Sequence, residues 1–289
     1  MPPRKLSKLS RRFAVLPIAV LTGCATTSCG APTVAPISSD SYTGPELSTE
    51  KPSESTALAP GVELSIGNGE RTVTCAMGWI LRATKDDTTF LTTAGQCGTP
   101  GPGTPVRFRY ATGTSTDPDR AQDITVADVL ATSFTEPFRA GEPNIALLTW
   151  RPAGTENVPV SVFPGAQTTM EPYTVIGDAE AWAAAHRDEK ACWVTNAAKR
   201  TTNPLMRCGT VDVGVGNKVA VNRAENNALQ PYQAGTAVFW EDAQGKHRPL
   251  GIATEDRTGR VIVDSLDGVI EKLNGQTSAG YRIFLGPSS

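Results

Sequence analysis

The spacing of apolar and polar residues changes along the chain. Beyond about residue 61, short apolar runs are closed off by Gly, Pro, Asn and Asp. In Val106-Arg107-Phe108-Arg109-Tyr110, apolar and basic residues take turns. That is the period-two signature of a strand with one buried face. Further turn-bounded runs predict strands at 73–81, 90–93, 124–131 and 145–150. A second series lies at 173–176, 210–213, 219–221, 237–240, 250–254 and 261–263. Two stretches read as helix: 179–190, rich in Ala and charge, and 269–273. The Pro-containing stretch 151–172 reads as the bridge between two β units.

Upstream the pattern is different. Residues 25–60 are rich in Ser, Thr, Pro, Gly and Ala, with few large apolar side chains. Such a segment buries too little surface to offset its ordering entropy, so a disordered tether is expected. Residues 1–24 read as an export signal, with Arg4, Lys5, Lys8, Arg11 and Arg12 ahead of a short apolar stretch at 13–21. Its end, Leu21-Thr22-Gly23-Cys24, resembles a bacterial lipobox. That resemblance implies a lipid on Cys24 and stable anchoring by two or more acyl chains. An ordinary signal peptide with an incidental Cys24 stays open, as does twin-arginine export through Ser10-Arg11-Arg12. No apolar run reaches the roughly 18–20 residues that span a bilayer as a helix.

Composition narrows the function classes. At 289 residues the chain has room for one or two domains. A net charge of −2, with no basic stripe, argues against a nucleic-acid partner. Removing the basic signal makes the mature chain more acidic still. The six cysteines lack the close paired spacing of a metal site, and His186 and His247 are not near them in sequence. Neither a metal nor a cofactor is expected. In an oxidising envelope the cysteines would form disulfides.

One motif carries the functional reading. Thr92-Thr93-Ala94-Gly95-Gln96-Cys97-Gly98 resembles the Thr-Ala-Gly-His-Cys signature of chymotrypsin-like (trypsin-fold) serine proteases, with Gln96 where that family has histidine. Pro143-Asn144-Ile145-Ala146 then puts Asn144 at the family's aspartate. Tyr232-Gln233-Ala234-Gly235-Thr236-Ala237-Val238 puts Ala234 at its serine, in the family's order. The resemblance implies an all-β fold of two antiparallel six-stranded β-barrels with a short C-terminal helix. The N-terminal barrel would occupy 61–160 and the C-terminal barrel and helix 161–289. It also implies disulfides Cys75–Cys97 and Cys192–Cys208, the second as in the bacterial branch, whose Arg-Thr-Thr-Gly is echoed by Lys199-Arg200-Thr201-Thr202-Asn203. Cys29 is then left over.

Every chemical part of that site is changed. Glutamine is a neutral amide and no general base. Asn144 has no charge to orient a base, and Ala234 has no attacking hydroxyl. The oxyanion hole would use the backbone N–H groups of Tyr232 and Ala234, and Tyr takes a glycine's conformation only with strain. Gln233 replaces an aspartate that orders this loop through an ion pair. The resemblance therefore implies an inactive homologue, outside the cytoplasm and held to a membrane by its lipid. It would bind a protein or peptide, or serve as a scaffold. The alternative is a working hydrolase with a rearranged site, for example Thr236 as nucleophile with His186 or His247 as base. Both histidines read as surface residues. Asp264 and Asp267 read as caps of the C-terminal helix.

Overall fold

A computed structural model describes residues 47–69, 71–111, 121–134, 142–151, 155, 158–160, 175–195, 205–268, 270 and 281–283. Several expectations lie outside the described residues. They are the signal with Cys24, Cys29, the tether over 25–46, most of the 151–172 bridge, the 199–203 motif and most of the 269–273 helix.

Alternation decides the first half. Strand β1 is Glu63–Asn68, β2 Arg71–Ala76, β3 Ile80–Ala83 and β4 Thr89–Ala94. Then come β5 Pro105–Tyr110, β6 Gln122–Thr132 and β7 Ile145–Trp150. On β5, Val106 and Phe108 are fully buried while their basic neighbours stay nearer the surface, as the alternation requires. In the second half, α1 is Ala179–Ala185, β8 Lys190–Thr195, β9 Leu205–Val215 and β10 Lys218–Arg223. They are followed by β11 Ala237–Glu241, β12 His247–Arg257, β13 Arg260–Ser265 and β14 Tyr281–Ile283.

The second half closes into a six-stranded antiparallel barrel in the order β10-β13-β12-β11-β8-β9. The first half, joined by β14 from the far end of the chain, forms an antiparallel eight-stranded sheet in the order β14-β3-β4-β7-β6-β5-β1-β2, where a second six-stranded barrel was expected. Two causes account for the difference. The predicted strand 73–81 breaks at 77–79, so that β2 pairs with β1 and β3 with β4. The break is itself bonded on both sides: Met77 N–H donates to Val62 O at 2.7 Å and Gly78 N–H to Thr92 O at 2.7 Å. One run of chain therefore serves both ends of the sheet. Strand β14 then adds to the outer edge of β3.

Local chemistry explains the other departures. Asp178 caps α1 by accepting from the N–H groups of Glu180 and Ala181. The helix stops well before 190: its cap His186 already leaves helical geometry at φ −111° and ψ 19°, Asp188 follows with a left-handed φ of 67°, and Lys190 opens β8. Val175 and Ile176 are not in a strand. The N–H groups of Ile176 and Gly177 are instead held by the Asp267 carboxylate, at 2.7 and 2.6 Å. Residues 47–60, expected in the tether, lie against the sheet. Ser48 bridges to Thr74, Ser55 to Tyr110 and Leu58 to Val160, and Leu58 and Ala59 are buried. Apolar side chains at 57–59 supply the burial that the rest of the tether lacks.

Three apolar clusters form the core. One fills the first sheet and includes Leu64, Phe108 and Leu148. One fills the barrel around Trp193 and Val238. The third takes Trp79, Leu81 and Leu147 from the first half and Phe239, Ile252 and Leu266 from the second, so it joins the two. Trp79 also donates its indole N–H to Gly251 O at 2.7 Å across that joint. Disulfide Cys75–Cys97 ties β2 to the turn after β4, and Cys192–Cys208 ties β8 to β9. Both pairings are those the resemblance implied, and both fit an oxidising compartment. Among the described residues, no helix is long and apolar enough to cross a membrane.

Candidate functional site

Gln96, Asn144 and Ala234 lie where the two halves meet. Gln96 sits in the short 3-10 turn Gly95–Gly98 that follows β4. Asn144 immediately precedes β7, and Ala234 follows the 3-10 turn Pro231–Gln233. Gln96 is 2% exposed, Asn144 0% and Ala234 3%. Asn144 Oδ1 accepts the backbone N–H of Gln96 at 3.1 Å, so these two positions touch. Gln96 Nε2 crosses to the second half and donates to Thr254 O at 3.0 Å. Ala234 is held at the same joint by bonds to neighbouring backbone. Its carbonyl accepts Ala76 N–H at 2.9 Å, and Gly235 N–H donates to the O of Ala253, the neighbour of Thr254, at 2.7 Å.

Gly235 is a glycine of necessity. Its φ is +97°, and a Cβ there would lie 2.6 Å from both Ala76 O and Ala94 N. Backbone from the two halves meets at that point with no room for a side chain.

The chemistry of the place is neutral and nearly closed. Among the described residues, Gln96 Oε1 and Asn144 Nδ2 are buried without a hydrogen-bond partner. The Ala234 N–H donates to Pro231 O at 3.2 Å, closing the turn on itself. That N–H therefore faces its own chain, not an incoming carbonyl oxygen. Tyr232 shows no left-handed φ, so the strain expected for it is absent. Burial pushes the Tyr232 phenol above its ordinary pKa, with the carboxylates of Glu63 and Glu50 adding to the effect. Gln233 orders its loop without charge. Gln230 N–H donates to Gln233 Oε1 at 3.0 Å, and Gln233 N–H donates to Gln230 O at 2.8 Å.

Behind this place lies a charged cluster that the sequence reading missed. Lys218 Nζ lies 2.9 Å from both oxygens of Asp264, and the two side chains are 2% and 0% exposed. Thr254 Oγ1 donates to Asp264 Oδ2 at 2.7 Å, and Asn144 N–H donates to Oδ1 at 3.1 Å. Asp264 thus lies within β13 and caps no helix, contrary to the expectation. The available signal was a charged residue inside the apolar run of 261–263 and its neighbours, a position that only pairing makes tolerable.

The rearranged-site residues are not brought together. Thr236 is buried, and its hydroxyl donates to Val194 O at 2.7 Å. His247 pairs with Glu241 on the same hairpin, five residues along the strand from Thr236. At strand rise that is about 16 Å. The two histidines are also less exposed than expected. His247 stands edge-on to Phe239 with Nε2 3.7 Å from Glu241 Oε2. His186 stacks on Trp182 and contacts Trp240, with Nδ1 3.0 Å from Glu189 Oε2. Among the described residues, no group of three His, Cys, Asp or Glu side chains is placed to hold a metal ion.

No known family profile matches the chain. No curated protein matches it. Among solved structures it is similar to the chymotrypsin of Cellulomonas bogoriensis, at 12% identity over 80% of this chain and 100% of that one, with a TM-score of 0.45. It is similar to a glutamic-acid-specific serine protease described as using a histidine triad in substrate binding (14% identity, 78% of this chain, 100% of that one, TM-score 0.41). It is also similar to HL collagenase (10% identity, 75% of this chain, 92% of that one, TM-score 0.45). Identities and scores of this size carry neither a family nor an activity across to this chain.

Proposed function

We propose that the chain is an exported envelope protein, lipid-anchored through Cys24, with a trypsin-like serine protease fold that performs no hydrolysis. In this reading the eight-stranded sheet is the second barrel, its ends joined by the run 71–83. Gln96, Asn144 and Ala234 stand where the proton shuttle, its orienting acid and the nucleophile would be. The observation that carries the reading is burial. All three positions are at most 3% exposed; Gln96 and Asn144 bond each other, and each of the three also makes one hydrogen bond across to the opposite half. The place works as a structural joint, which favours the scaffold role. A protein or peptide partner would meet the molecule elsewhere on its surface.

The test uses the purified mature protein with a fluorophosphonate probe and a panel of peptide and ester substrates. No labelling and no turnover above background are expected. Specific labelling of one residue, with turnover that the same probe blocks, overturns the reading. The anchor is tested separately: Cys24→Ala should move the protein from the membrane fraction to the soluble one, and the wild-type N-terminal peptide should carry acyl chains.

A further inference from the structure

The outer edge of β2 is filled at two rungs and open at a third. Ala76 N–H donates to Ala234 O at 2.9 Å, and Thr74 N–H donates to Ser48 O at 2.8 Å. Both bonds point away from β1. In an antiparallel ladder the residues that face outward recur at every second position. The β1–β2 register runs without a bulge, with Thr74 opposite Ser65 and Thr72 opposite Gly67, so Thr72 also faces outward. Among the described residues nothing bonds its N–H or its C=O. The Thr72 hydroxyl donates to Gly69 O at 2.7 Å and so serves its own hairpin.

This open rung lies on the wall of a cavity of about 540 Å³, between the β1–β2 hairpin and the loop that leads into β5. Cavities of about 300–1,000 Å³ are the usual size for small ligands. Asn68, Arg71, Val73, Pro100 and Thr104 line it together with Thr72, and no acidic side chain is among its described lining residues. Thr104 is 8% exposed, and among the described residues its hydroxyl makes no hydrogen bond. The Asn68 amide and the Arg71 guanidinium are uncommitted in the same sense, on residues that pair across the hairpin. One cation and several neutral donors thus converge beside one unpaired stretch of backbone.

We propose that this cavity captures the carboxyl-terminal residue of a partner peptide. The terminal carboxylate accepts from the forked donors of Arg71 and from the Thr104 hydroxyl, with the Asn68 amide at the rim. The Thr72 carbonyl takes the N–H of that last residue, as a sheet edge takes an added strand. Val73 and Pro100 give its side chain an apolar wall. A chain end fits where a chain middle does not, because Ser48 already holds the neighbouring rung at Thr74 and leaves room on the edge for one residue. A single guanidinium balances a single carboxylate, whereas a doubly charged phosphate would have only neutral groups for its second charge. The site adds a partner surface to the scaffold reading and does not depend on the absence of hydrolysis.

The experiment is fluorescence anisotropy with the purified mature chain and a set of fluorescein-labelled tripeptides Gly-Ala-X, where X is each ordinary amino acid in turn. At least one free-acid member should bind, and its carboxamide should bind about tenfold more weakly. Arg71 is exposed, so Arg71→Gln should lower the affinity by a similar factor at an unchanged melting temperature, and Arg71→Lys should recover part of it. Thr104→Val should cost about threefold. Sodium glucuronate, a carboxylate without a peptide group, should compete poorly. Binding by no member, equal binding of acid and carboxamide, or an unchanged affinity in Arg71→Gln overturns the site. Competition by glucuronate as strong as that of the unlabelled tripeptide overturns the assignment to a peptide. None of these results bears on probe labelling or turnover, so failure here is separate from failure of the proposed function.

Discussion

Two polar clusters meet at Thr254, and they are built on opposite principles. On one side are Gln96 and Asn144, both neutral, each with a buried atom left unpartnered. On the other are Lys218 and Asp264, both charged, with Asp264 accepting from three donors. Thr254 serves both: its carbonyl accepts from Gln96 and its hydroxyl donates to Asp264. The neutral cluster occupies the positions where the sequence resemblance leads one to seek chemistry. The charged cluster carries more of the energetic consequence, because removing one member strands a charge away from water. Positions that announce themselves by a motif need not be those on which the fold depends.

The sharpest way to separate the clusters is Lys218→Met. It leaves Asp264 buried without its cation and should cost about 3–5 kcal/mol, read as a lowered urea midpoint. A loss of under about 1 kcal/mol would place the two clusters on an equal footing. Next is the triple change Gln96→His, Asn144→Asp, Ala234→Ser. It restores the three side chains but leaves residue 234's N–H on Pro231 O, and it sets a second carboxylate beside Asp264. Ester turnover is expected to stay at background, and measurable inhibitor-sensitive turnover would show that the site needs only its side chains.

A smaller effect is expected from Gln96→Met, which keeps the shape. It gives up the bond to Thr254 O but also deletes the unpartnered Oε1, so the loss should be about 1 kcal/mol or less in the same unfolding assay. The subtlest test is pH. Burial raises the Glu255 pKa above 4.5, its value in water, so the folded state holds this proton more tightly than the unfolded state does. Stability from this group is therefore full below pH 4.5 and is lost as pH rises through the folded value. Glu255→Gln should flatten that slope and leave the variant more stable than wild type on the alkaline side.

Much of the β organisation was legible because alternation writes itself into a strand. Val106 to Tyr110 named its buried face correctly, and the strands 237–240 and 261–263 lie inside observed ones. Strand β8 was not legible, since Lys190 and Ala191 continue an Ala- and charge-rich helix without a break in composition. The turn at Asp188 is a backbone event with no glycine to mark it. Strand β14 was missed because three residues show no period, and its partner β3 lies about two thirds of the chain away. At the site, Gln96 and Asn144 were found through the motif. The 3-10 turn at 231–233, which holds the Ala234 N–H, depends on the Gln230 and Gln233 amides and has no one-residue signature. Lys218 was hidden for a different reason: a lone lysine reads as surface until the strand opposite supplies its acid.

The strap 47–60 determines where a pull on the amino end would be felt. Ser48 is the first described residue bonded to the sheet, and it is stitched to Thr74, whose hydroxyl also donates to Glu50 O. Thr74 precedes Cys75, and Cys75 is covalently tied to Cys97, next to Gln96. A force applied at residue 48 would thus pass within a few residues to a covalent bond. It would spread across β2 and the turn after β4 before it reached the loop contacts further along the strap.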